Sequence, residues 1–127
     1  MTTEHKNKPV LISILELGGY PDFTRLYQSL GFEVHTLASM RKATKFIKKN
    51  HVDTIIAEFN FQSDFRDRSS QVETLMACLA QKPNVDVIIF YDKDQQYQFQ
   101  RVADRFNFKA ALSYPINEED IRRIFAA

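Results

Sequence analysis

The sequence predicts a single α/β domain, an open, doubly wound sheet of five parallel strands with five helices. Three observations lead there. Short apolar runs alternate five times with stretches whose apolar residues recur at helical spacing. The runs "VLISILEL" (10–17) and "VDVIIFY" (85–91) are apolar without alternation, as in strands covered on both faces. At 127 residues, with 44% hydrophobic and 26% charged, the chain has one core and not the composition of a disordered segment.

Residues 1–9 are polar and are expected to form a flexible segment, with the domain running from 10 to 127. The first strand is broken by "GGYPD". Asp22 is a candidate N-cap for a helix with Phe23, Leu26, Tyr27 and Leu30 on its inner stripe, ended by Gly31. "FEVHTL" reads as a short alternating strand with Phe32, Val34 and Thr36 on one face. A helix from about Ser39 to Asn50 places Met40, Ala43 and Ile47 inward. "VDTIIAEF" (52–59) is the third strand. After the loop "NFQSDFRDRSS", Val72, Leu75, Met76 and Leu79 mark the third helix, which Lys82-Pro83-Asn84 stops. "VDVIIFY" is followed by a helix on Phe99, Val102, Ala103 and Phe106, with Asn107 suited to a left-handed cap. "KAALSY" is a weak fifth strand. Asn117 caps "EEDIRRIF", whose acids precede its arginines and so complement the helix dipole.

Bulk properties exclude several classes of function. A net charge of +1 provides no global field toward nucleic acid or anionic lipid. The one cysteine, Cys78, allows no internal disulfide and reads as a small buried residue, and no Cys/His spacing fits zinc. No apolar run reaches the roughly eighteen residues of a membrane span, and no signal peptide precedes the fold, so a cytoplasmic location is expected. Neither a G-x-G-x-x-G nor a P-loop pattern occurs.

In open parallel sheets, function gathers at the carboxyl ends of the strands, near the point where strand order reverses. Leu15, Glu16, Glu58, Tyr91, Asp92 and Tyr114 fall there. Glu58 stands out, an acid at the end of a buried strand.

The stretch "GFEVHTLASMRKATKFIKKNHVDTIIAE" (31–58) resembles, without a gap, the middle of a response-regulator receiver domain. "LSYPINEEDIRRIF" (112–125) is similar to that family's L-x-K-P-[FI] segment and acid-rich last helix. The resemblance extends from Val10 to Phe125 and implies a flavodoxin-like, CheY-like fold. It also implies what this chain lacks. The family's metal-holding acidic pair falls on Ile14 and Leu15, with only Glu16 beside them. Glu58 stands at the phospho-accepting Asp, its carboxylate displaced by one methylene. The hydroxyl residue that contacts the phosphoryl group is matched by Tyr91, and the lysine that neutralises it by Tyr114, which brings no positive charge. The switch aromatic falls on Ala111. Asn60 and Pro115 look retained, Pro115 at a position where the family has a cis bond. The resemblance is therefore to a degenerate member, a pseudo-receiver, with no enzymatic activity, cofactor or metal expected.

Glu58 keeps three readings: an altered phospho-acceptor, a built-in substitute for the phosphorylated state, or a partly exposed carboxylate bonded to backbone N–H groups or the hydroxyl of Tyr91 or Tyr114. By analogy with the family, the fourth helix, fifth strand and fifth helix form the face for a protein partner or homodimer. Here that face carries Gln98, Arg101, Arg105, Arg122 and Arg123, with Asp104 and Glu119 as counter-charges. No attached output domain is expected, so output goes through another protein or self-association. A pocket lined by Glu16, Glu58, Tyr91 and Tyr114, accepting a small ligand, is the alternative. Arg41, Lys42, Lys45, Lys48 and Lys49 cluster on the second helix, as a docking patch for an acidic protein, a nucleotide or RNA, or as a solvated face; without interleaved aromatics, nucleic acid is not expected.

Overall fold

Among the described residues, the apolar runs form strands and the stretches of helical spacing form helices. In the computed structural model the described residues are 8–15, 22–59, 71–82 and 84–126. The elements are β1 (Val10–Ile14), α1 (Thr24–Ser29), β2 (Glu33–Leu37), α2 (Met40–Lys49), β3 (Thr54–Glu58), α3 (Gln71–Cys78), β4 (Asp86–Tyr91), α4 (Gln96–Ala103), β5 (Ala110–Ser113) and α5 (Glu118–Phe125). A 3₁₀ turn, Lys93–Gln95, leads into α4. The sheet is wholly parallel in the order β2-β1-β3-β4-β5, so strand order reverses between β1 and β3. In register, Glu58 lies beside Phe90 and Tyr91 beside Ser113. Among the described residues, no helix is long and apolar enough to cross a membrane.

Alternation along the strands divides the core in two. One face packs Ile12, Ile14, Ile55, Ala57, Phe59, Val87 and Ile89 against the inner stripes of α2, α3 and α4. The other packs Leu11, Ile56, Ile88 and Phe90 against α1 and α5. Met40, Ala43 and Ile47 of α2 are buried, as their spacing predicts. Ser39 Oγ accepts from Lys42 N at 3.1 Å and caps that helix. Asn117 and Asp120 form a reciprocal capping box at the start of α5.

Three local expectations need correction. Asp22 Oδ1 accepts from Thr24 N at 3.0 Å, but Phe23 occupies the formal cap position of α1. Asn107 is not left-handed: Gly31, at φ +100°, is the described residue with positive φ, and no other residue type shares it. The end of α4 is instead closed by 3₁₀-type bonds, Arg105 N to Val102 O at 3.0 Å and Phe106 N to Ala103 O at 3.4 Å. Cys78 is half-buried at the end of α3, packed on the core from its edge rather than within it.

Candidate functional site

The carboxyl edge of the sheet is built by extension of the strand ladders. Phe59 N donates to Phe90 O at 2.8 Å, Leu15 N to Leu37 O at 3.0 Å and Tyr114 N to Tyr91 O at 2.9 Å. These bonds hold Leu15, Glu58, Tyr91 and Tyr114 at neighbouring strand ends. Glu16 and Asn60, like Phe61 and Phe65 of the following loop, lie outside the described residues.

Glu58 is only 2% exposed, so the expectation of a partly exposed carboxylate is overturned. The physical reason is the packing around it. Its neighbours Ala57 and Phe59 belong to the α2–α4 face, so alternation sends the Glu58 side chain to the α1–α5 face. There Phe90 is its lateral neighbour, and Phe90 meets Phe23 and Tyr114 edge-on at ring distances of 6.4 and 6.0 Å. Ser13 and Thr54 are the other buried polar residues described. A carboxylate so enclosed requires compensating contacts, since burial in an apolar site disfavours its charged form by several kcal/mol, roughly.

Tyr91 takes the opposite direction. Its ring stacks on Phe99 at 4.5 Å and 15°, against the α2–α4 face. Phe99 also meets Phe59 edge-on at 5.3 Å and stacks on Phe108 at 5.9 Å. Glu58, Tyr91 and Tyr114 are thus adjacent in the ladder but do not converge: Tyr114 shares the face of Glu58, whereas Tyr91 is a member of an aromatic cluster on the other. Ile14 is buried at 1%, Leu15 is half-buried and Ala111 exposed. The Tyr114–Pro115 peptide is cis, matching the resemblance.

Phe59, Phe90 and Phe99 were not singled out as site residues from the sequence. The signal available was the 11 phenylalanines in the chain, several of them at or just past strand ends. Nearby, burial pushes the Tyr27 phenol well above its ordinary range, and the Asp22 carboxylate adds to the shift. Among the described residues no group of three or more His, Cys, Asp or Glu is placed to hold a metal.

On the face made by α4, β5 and α5, Arg101, Asp104, Arg105, Glu119, Arg122 and Arg123 are exposed and Gln98 is half-buried. Tyr97, one turn before Arg101, is 73% exposed. The arginines pair with acids other than those expected. Arg105 pairs with Glu73 of α3, Arg122 with Glu118 at 3.3 Å and Arg123 with Asp120 at 3.9 Å. Asp104 instead accepts from Gln100 Nε2 at 3.0 Å. Arg105 also lies over the Phe106 ring, 5.2 Å from its centroid.

No protein-family model matches the sequence, and no curated protein matches it. Solved structures do match in fold. The chemotaxis response regulator CheY4 of Vibrio cholerae superposes with a TM-score of 0.72 at 17% identity, over 94% of this chain and 100% of that one. A response regulator from Burkholderia pseudomallei, solved with a phosphorylated aspartic acid, a calcium ion and citrate, gives 0.67 at 14% identity, over 94% and 67%. An adenylate cyclase from Rhodopirellula baltica gives 0.68 at 16% identity, over 91% and 83%. The chain has the CheY-like fold of response-regulator receiver domains, with its five-stranded parallel sheet and five helices.

Proposed function

We propose that this chain is a receiver-like signalling or scaffold module that acts through protein–protein contacts without phosphorylation and without catalysing a reaction. The observation that carries the reading is the state of the carboxyl edge. Ile14 and Leu15 supply no carboxylate where the receiver pattern has its acidic pair. Glu58 is enclosed on the α1–α5 face, and Tyr91 is committed to a ring stack with Phe99. Phosphoryl transfer to a carboxylate works by positioning and charge neutralisation. Tyrosines in place of the hydroxyl residue and the lysine provide neither the space nor the cation.

Partner binding is assigned to the α4–β5–α5 face. Tyr97 and Arg101 support it: tyrosine and arginine dominate binding energy where they are presented together, and both are exposed here one helical turn apart. The partner is another protein or a second copy of this chain.

The test is a ¹⁵N-amide NMR titration with Mg²⁺ and beryllofluoride, a mimic of aspartyl phosphate. The amides of Glu58, Phe59 and Tyr91 are expected to stay where they are. Saturable shifts of those amides would show a working acceptor and overturn the reading.

A further inference from the structure

The geometry points to a second docking surface, the outer face of α2, which we infer binds an acidic segment of a partner protein. Arg41, Lys42, Lys45, Lys48 and Lys49 are all exposed. At 100° per residue they fall within an arc of about 120°, opposite the buried Met40, Ala43 and Ile47. This surface is distinct from the α4–β5–α5 face, because α2 packs on β1, β2 and α3, toward the other edge of the sheet.

The arrangement works against the isolated fold. Arg41 and Lys42 sit in the first turn, which contains no acid, so they oppose the positive end of the helix dipole. Arg41 and Lys45, and Lys45 and Lys49, are like-charge pairs at i, i+4. Among the described residues, none of these cations forms an ion pair, whereas Arg105, Lys109, Arg122 and Arg123 all do. Only the two last-turn lysines, Lys48 and Lys49, are favourably placed for the dipole. An acidic partner would relieve the repulsion along the whole stripe and gain its long-range attraction.

Charge and size favour a protein over a nucleic acid. The helix contains five of the 17 basic residues and none of the 16 acids, so the rest of the chain is net acidic. A ten-residue helix spans about 15 Å. A longer polyanion would run from the basic face onto net-acidic surface, and Phe46, the aromatic residue of α2, is tilted against His35 at 4.7 Å rather than open for base stacking.

The experiment titrates the full chain with a short poly-glutamate peptide, and separately with a single-stranded oligodeoxythymidine of equal charge, following ¹⁵N amides. The peptide is expected to bind more tightly than the DNA, with saturable shifts confined to residues 39–50. The variant R41E/K45E/K49E is expected to bind the peptide about tenfold more weakly, the worth of three exposed ion pairs. DNA binding as tight as the peptide's, shifts centred on the arginines of α4 and α5, or a variant that binds like the parent would overturn the inference. The neutral variant R41Q/K45Q/K49Q provides the same readout should the reversal variant fail to fold.

Discussion

Truncating Phe99 to alanine tests whether the aromatic cluster, rather than an ion site, organises the carboxyl edge of β4. Phe99 is 4% exposed and touches three rings: Tyr91 at 4.5 Å, Phe59 at 5.3 Å and Phe108 at 5.9 Å. Removing a buried phenylalanine costs about 3–5 kcal/mol, from lost transfer energy and the cavity left behind. Domains of this kind have about 5–15 kcal/mol in total, so the variant retains a fraction of it. With a urea slope of about 2 kcal/mol/M, the unfolding midpoint falls by about 1.5–2.5 M at unchanged slope. The stack itself is isolated by a double-mutant cycle with Tyr91→Ala, for which the expected coupling is about 0.5–1.5 kcal/mol. Tyr91→Thr, which installs a hydroxyl residue in keeping with the receiver pattern, should also lower the midpoint, because the stack goes with the ring. A midpoint shift for Phe99→Ala below about 0.5 M, with additive effects of the two truncations, would show that the aromatic cluster does not hold the edge.

Two further outcomes follow from single side chains. Burial and the Asp22 charge raise the pKa of Tyr27 above its unfolded value of 10.0, so its contribution is complete below pH 10.0 and declines as pH rises beyond it. Tyr27→Phe should therefore flatten the alkaline loss of stability by up to about 1.4 kcal/mol per pH unit, read from urea midpoints on either side of pH 10.0; identical alkaline slopes would show the phenol is not held neutral. Asn117→Ala removes the acceptor of Asp120 N, bonded at 2.9 Å, and breaks the capping box of α5. It should cost about 1 kcal/mol and lower the melting temperature by about 2–6 °C, measured by circular dichroism; an unchanged melt would mean that the box adds nothing.

The Glu58 carboxylate poses the question that bears most on function. Its place at the end of β3 follows from sequence, since the run 52–59 identifies the strand and its direction. Its enclosure does not. Enclosure at a strand end depends on how the α1–α5 face packs, and there Phe90 of β4 meets Phe23, just before α1, and Tyr114, just after β5. The stacking partner of Tyr91 is likewise Phe99, on α4, and the partner of Arg105 is Glu73, 32 residues away. The Glu118–Arg122 pair is different: its i, i+4 spacing was open to a sequence reading.

What is local and periodic is therefore legible in the residues alone. The order of strands and helices, the inner stripe Met40, Ala43 and Ile47, the Asn117 cap and the basic face of α2 all follow from spacings of a few residues. Positive φ at Gly31 belongs with them, because only glycine meets it without strain. Long-range packing sets what lies at the carboxyl edge: that Glu58 is enclosed, that Tyr91 and Tyr114 pack on opposite faces of the sheet, and which acids the surface arginines take. These depend on contacts between elements distant along the chain, where the energy of a side chain is set by neighbours that no local pattern specifies.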